Sequence, residues 1–207
     1  MKKIILSIAA AAVFCFAANA QIFVNAGYLQ DDIRLSGLPS DIGGIGQCIT
    51  LKGFQLGASY NYDLPFGFGV EAGLNFAKEF RKLKMGSEGT IDATALSLPI
   101  LCNIKHEFSP AVKLLAYAGP EFRYIFDAKA KSEGETRSVN EERKILGHFE
   151  VRAALGIGVQ LFEQIRIDAG YRLGLNNFAG KDARDEDIKI HSNGFYIGAS
   201  YILPLHF

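Results

Sequence analysis

Carboxylates and guanidinium groups recur at alternate positions inside otherwise apolar segments of this chain: Glu71, Glu121, Arg123, Glu150, Arg152, Arg166, Asp168 and Arg172, with Asp63 and Lys105 close to short turns. Residues two apart on an extended chain share a face. Facing water, such a set lines a polar conduit. Facing one another in a narrow interior, the opposite signs pair and hold it closed. The second arrangement is expected here, which makes these residues structural lumen charges. Hydrolytic chemistry would need a His beside a Ser or a carboxylate. His148 lies one same-face step from Glu150, but Ser192 adjoins His191 and so points to the opposite face if that segment is extended. His106 and His206 read as interfacial or lumen residues. Asp182, Asp185, Glu186 and Asp187 gather in one segment, but their spacing matches no calcium loop, and a solvated loop is expected. Gly67-Phe68-Gly69 and Gly156-Ile157-Gly158 have no strand-to-helix turn behind them and carry no phosphate-binding signal. No catalytic residue, metal site or cofactor is expected.

The elements that position these residues are strands. Phe54, Leu56, Ala58, Tyr60, Tyr62 and Leu64 alternate with Gln55, Gly57, Ser59, Asn61 and Asp63. After Pro65-Phe66-Gly67, the residues Phe68, Val70, Ala72, Leu74 and Phe76 alternate with Gly69, Glu71, Gly73 and Asn75. Period two predicts a strand with one apolar face. A soluble sandwich or lipocalin-like barrel would give the same alternation, so the pattern alone does not name the solvent.

The N-terminus carries an export signal. Lys2 and Lys3 precede an apolar run from Ile4 to Ala18, and Ala18-Asn19-Ala20 offers small residues for cleavage before Gln21. The run is short for a retained spanning helix. Phe14 ahead of Cys15 argues against a lipoprotein. Removing Lys2 and Lys3 from the 22 basic residues leaves 20 against 22 acidic, with no field to steer nucleic acid. Cutting 20 residues from 207 leaves 187, the size of one domain, 21–207. Cys48 falls in an expected loop and Cys102 in an expected strand, so a bridge between them is not expected.

Eight strands are predicted, at 22–29, 52–64, 68–78, 94–108, 112–126, 148–162, 165–175 and 193–207. Tight turns at 65–67, 109–111 and 163–164 alternate with long connections at 30–51, 79–93, 127–147 and 176–192. An even strand number with turns short on one side and long on the other is the rhythm of a membrane barrel. The polar parity is rich in Gly and in charges of both signs, which suits a crowded interior and turns the apolar parity toward lipid. Aromatics mark both ends: Phe66, Phe68, Phe108, Phe162 and Phe207 near the turns, Tyr28, Phe80, Phe126, Phe149 and Phe195 near the loops. The first loop, with Ile33, Leu35, Leu38, Ile42, Ile45 and Ile49 broken by Gly43, Gly44 and Gly46, reads as a lid or as irregular loop with local packing. The third reads as mobile or as an extended hairpin.

The last predicted strand alternates Phe195, Ile197, Ala199, Tyr201, Leu203, Leu205 and Phe207, ending on an aromatic. Tyr201, Leu203, Leu205 and Phe207 resemble the C-terminal signal read by barrel-assembly machinery, although Pro204 removes one ladder donor. With Leu96-Ser97-Leu98-Pro99-Ile100-Leu101 and Tyr117-Ala118-Gly119-Pro120, the chain over 21–207 resembles the outer-membrane β-barrel domain family, which includes OmpA/OmpX-like small barrels and "porin family" proteins. The resemblance implies an all-β, eight-stranded antiparallel up-and-down transmembrane barrel in the outer membrane of a Gram-negative bacterium. It implies outer-membrane lipid and the assembly machinery as partners. A structural or surface-interaction role through four long loops is expected. Small-molecule binding or transport through a loop-covered lumen, an accessory barrel of a secretion system and a lipid-modifying enzyme stand as alternatives.

Overall fold

The computed structural model describes residues 20–36, 48–85, 87–132, 135–138, 148–177, 179 and 189–203. The long staves are β1 (Ala20–Ser36), β2 (Cys48–Asp63), β3 (Phe68–Met85), β4 (Ser87–Ser109) and β5 (Val112–Ser132). After a short β6 (Glu135–Ser138) come β7 (Phe149–Leu161), β8 (Ile165–Gly174) and β9 (Lys189–Leu203). Each stave pairs antiparallel with its neighbours, β9 returns to β1, and β4 pairs with β5. Eight staves therefore close a ring, with β6 added to the upper end of β5.

Alternation builds this ring because a one-residue slip would move a whole side-chain set to the other face. On β7 the charged Glu150 and Arg152 are buried while Phe149, Leu155 and Ile157 are exposed. The same holds on β8, where Arg166, Asp168 and Arg172 point in and Ile165, Ile167, Tyr171 and Leu173 point out. Burial is thus inverted relative to a soluble barrel, with charge inside and hydrocarbon outside. The aromatics expected at the two ends all face out where described: Phe66, Phe68, Phe108 and Phe162 at the turns, Tyr28, Phe80, Phe126, Phe149 and Phe195 at the loops.

The strands outrun their sequence boundaries at the loop end. The expected loop 79–93 is a continued β3–β4 hairpin with Met85 opposite Ser87, and within 30–51 the chain continues β1 to Ser36 and begins β2 at Cys48. β5 and β6 form an extended hairpin, Ser132 opposite Glu135. A register shift at Thr94/Ala95 inverts the parity of β5, so that Ala128 is buried where Phe126 was exposed. Cys48 belongs to β2 rather than to a loop, and Cys102 is a free cysteine on the outward face. Residues 1–19 of the expected leader, Leu38, Ile42, Ile45, the acidic segment at 182–187, and Pro204, Leu205, His206 and Phe207 lie outside the described residues.

The β7–β8 turn is tight, Gln164 N–H donating to the Leu161 carbonyl at 3.1 Å. Its central residues, Phe162 and Glu163, have φ of 49° and 59°. Hairpin twist favours positive φ at both positions, usually supplied by Asn-Gly. Here two side-chain-bearing residues adopt it.

Candidate functional site: the charged lumen

The interior holds polar layers under an apolar cap, with a second buried apolar cluster of Leu29, Ala77, Leu101, Leu115, Tyr117, Ala154 and Tyr196 among them. Nearest the loops, Leu51, Ala93, Ala95, Ile125, Ala128, Ala179 and Ile190 form a buried cluster, with Ile33, Ile49 and Ile91 packed against it. Two of the isoleucines expected in a lid, Ile33 and Ile49, thus close the mouth from strands.

Beneath the cap lies an ionic layer. Arg123 pairs with Asp31 at 3.0 Å, with Glu150 at 3.3 Å and with Glu79. Arg152 pairs with Asp31 at 2.9 Å and with Glu121, and Arg172 reaches Glu121 at 3.0 Å. Arg172 also donates to Gln55 Oε1 at 2.6 Å and lies 4.4 Å over the Tyr196 ring. Ser192 hydrogen-bonds Glu150. These contacts join β1, β2, β3, β5, β7, β8 and β9 across the lumen.

In the next layer Arg166 donates two hydrogen bonds to Glu71, at 2.6 and 3.0 Å, and sits 3.4 Å from Asp168. Ser59 donates to Glu71 at 2.7 Å, and the Arg166 guanidinium covers the Phe23 ring at 4.4 Å. The Tyr117 and Tyr196 hydroxyls meet across the lumen. Gly156 and Gly170, opposite each other on β7 and β8, make room for them: a Cβ on Gly170 would lie 2.6 Å from the Tyr117 hydroxyl and 2.7 Å from Tyr196 Cε1. Nearest the turns, Asn103 donates to Asn61 at 2.7 Å, and Lys105 pairs with Asp63 at 2.6 Å.

The eight charges picked out from sequence all fall in the upper two layers. Asp31 and Glu79 were missed, because both lie beyond the strand ends assigned from alternation, yet each continues the inward parity: Phe23, Asn25, Gly27, Leu29, Asp31 on β1 and Glu71, Gly73, Asn75, Ala77, Glu79 on β3. The Tyr117–Tyr196 pair was also missed as lumen residues.

A cavity of about 40 Å³ separates the layers, lined among others by Gln55, Ser59, Glu71, Asn75, Arg166 and Arg172. Asn25 Oδ1 and Asn75 Oδ1 face it with no hydrogen-bond partner in the protein. It has room for roughly three waters.

The rim histidines take other roles than the sequence reading considered. The His148 ring stacks on Tyr124 and its Nδ1 lies 2.9 Å from the Ile125 carbonyl, while Glu150 is engaged inside with Arg123 and Ser192. His191 is opposite Arg34 on the outward parity, and Ser192 points in. The described residues therefore bring no histidine to a serine or carboxylate in the lumen. No group of three or more His, Cys, Asp or Glu side chains among them is arranged to hold a metal ion.

The fold and its inverted burial define a small transmembrane β-barrel with an ion-paired interior. The chain belongs to the outer membrane protein beta-barrel domain family, which it matches over residues 6–202, and that membership places it in the Gram-negative outer membrane. Its fold is similar to that of three solved small barrels. Ail, the attachment invasion locus protein of Yersinia pestis, solved with the heparin analogue sucrose octasulfate, is 18% identical with a TM-score of 0.47 over 89% of this chain and 99% of that one. Neisserial surface protein A is 14% identical with a TM-score of 0.48 over 88% and 97%. The outer membrane enzyme PagL is 8% identical with a TM-score of 0.50 over 88% and 99%. No curated protein matches the sequence.

Proposed function

We propose that this chain is a closed, non-catalytic barrel that supports the outer membrane and presents its long strand hairpins at the cell surface for interaction with other molecules. The observation that carries this reading is the lumen. Arg123, Arg152, Arg166 and Arg172 are each tied to carboxylates on other strands, under an apolar cap, and the void between layers holds only a few waters. An eight-stranded barrel has an interior just wide enough for side chains to fill. Here those side chains cross-link the staves, so the parts left to meet another molecule are the hairpins β1–β2, β3–β4 and β5–β6 at the loop end. Export with cleavage before Gln21, and insertion through a C-terminal signal of Tyr201, Leu203, Leu205 and Phe207, belong to the same proposal.

The test is electrical. Purified protein in planar bilayers is expected to give little steady conductance between brief openings. Large, stable channels would show that the charges line water, and a transport role would replace this one.

A further inference from the structure

The outward face is asymmetric. Toward the turns, its strand positions are apolar or aromatic apart from His106 among the described residues. Toward the loops, two lysines sit inside the aromatic girdle. Lys52 on β2 is opposite Phe80 on β3, and Lys78 on β3 is opposite Phe54 on β2. All four side chains are exposed, and Phe76 flanks Lys78 on the side nearer mid-barrel. Lysine and phenylalanine thus form a chequerboard whose two ammonium groups sit on diagonal positions, roughly 7–8 Å apart at the backbone.

Neither lysine has a carboxylate partner among the described residues. The outward carboxylates nearest in register are engaged: Asp32 accepts from Thr50 at 2.6 Å, and Asp92 has another contact. Two neighbouring like charges without a counter-charge disfavour the face that carries them. Among the described residues nothing supplies that counter-charge, so both exposed ammonium groups are open to an anion from outside the chain. Since Lys78 lies between Phe76 and Phe80, a group that reaches it crosses a surface that prefers hydrocarbon. An ammonium on a flexible stem can rise from that surface to the headgroup level.

We infer that Lys52 and Lys78 together grip the phosphate of an anionic lipid in the outer leaflet, while Phe54, Phe76 and Phe80 pack against its acyl chains. The site rests on the placement of the barrel in the outer membrane with its long hairpins outward. It does not depend on whether the lumen conducts.

The experiment uses the full barrel in zwitterionic detergent, titrated with short-chain phosphatidic acid. Bound lipid is counted by native mass spectrometry, and heat-modifiable gel mobility reports separately that each variant is folded as a barrel. Wild type is expected to retain one phosphatidic acid, and K52Q/K78Q to bind it at least tenfold more weakly. K52R/K78R is expected to keep it, as is Lys113→Gln at the turn end. Phosphatidylcholine of the same chain length and inorganic phosphate alone should compete poorly. Equal retention by wild type and K52Q/K78Q would overturn the site. Equal competition by inorganic phosphate would remove the lipid as occupant, and equal binding of phosphatidylcholine would remove anionic phosphate as the recognised group. Should the double variant fail to fold, K52Q and K78Q are read singly, and binding unchanged in both overturns the site.

Discussion

Arg152 is the residue on which the lumen network turns. It is 2% exposed and reaches Asp31 on β1 and Glu121 on β5 from its place on β7. Arg152→Met keeps most of the volume and removes the charge. Two hydrogen bonds to charged groups are lost, each contributing about 1.5–3 kcal/mol, which bounds the loss near 6 kcal/mol. The loss is tempered because Asp31 keeps Arg123 at 3.0 Å and Glu121 keeps Arg172 at 3.0 Å. Four carboxylates, Asp31, Glu79, Glu121 and Glu150, would nevertheless face only Arg123 and Arg172, beneath an apolar cap that limits access of water from the loops. We expect destabilisation of about 3–5 kcal/mol, the range for breaking a buried pair by removing one partner.

Urea unfolding from lipid vesicles is the assay. Arg152→Met/Glu121→Gln should recover part of the loss, with a coupling of about 1–3 kcal/mol. A cost below about 1 kcal/mol for Arg152→Met would mean that the pair behaves as an exposed one. A lumen closed by these ion pairs could then not be maintained.

Other substitutions separate the remaining parts of the argument. Leu155→Arg, on the outward face where the side chain is 45% exposed, should cost about 2–4 kcal/mol in vesicles; neutrality there would turn the strands inside out. Gly156→Ala should cost about 1–3 kcal/mol by crowding, since its Cβ would meet both the Tyr117 hydroxyl and, at 2.5 Å, the Ala169 carbonyl oxygen. Adding Tyr117→Phe should relieve only part of that, and complete relief would show that the backbone contact is unimportant. Glu163→Gly should stabilise by about 1 kcal/mol, because it relieves a positive φ; unfolding at or below the wild-type urea midpoint would count against strain in that turn. The Lys113 ammonium 2.9 Å from Glu163 holds this exposed carboxyl below the ordinary carboxylate range. The pair's small contribution is therefore present above the unfolded carboxylate pKa and fades as pH falls through the folded one. Glu163→Gln should abolish that acid-side dependence and lower the pH 7 urea midpoint only by the small amount the exposed pair contributes, bringing it to the wild-type value at acid pH.

The fold was legible because each lipid-facing strand must hide one parity from water. Strands 52–64, 68–78, 112–126 and 165–175 fall within or within about a residue of the observed staves, and the three tight turns lie where expected. The loop ends were not legible, and the reason is physical. Alternation reports what surrounds a strand, not whether its backbone is hydrogen-bonded. Past Phe80 the run Arg81-Lys82-Leu83-Lys84 lacks a clear period in sequence, although β3 pairs with β4 to Met85. Asp31 and Glu79, buried on the inward parity, were lost because the outward parity turns polar there, at Gln30 and Asp32 on β1 and Lys78 on β3, so the assigned boundaries stopped one or two residues short.

Parity also says which way a side chain points but not what it meets. Glu71 and Arg166 are 95 residues apart, and Arg152 and Asp31 are 121 apart. Nothing local in either segment selects the partner, because the match depends on stagger around the closed ring. Glycine placement offers the one clue that sequence contains. Gly156 and Gly170 lie opposite each other on β7 and β8, and the gap they leave is filled by Tyr117 from β5 and Tyr196 from β9. A glycine-rich inward face therefore marks more than crowding: it marks where large side chains from other strands cross. If this holds, placing Ala at both Gly156 and Gly170 should separate the Tyr117–Tyr196 hydroxyls and destabilise the barrel more than either change alone, whereas Ala at outward-facing Cys102 should leave stability within about 0.5 kcal/mol. Comparable effects at all three positions would detach the glycines from the tyrosine crossing and leave backbone flexibility as their role.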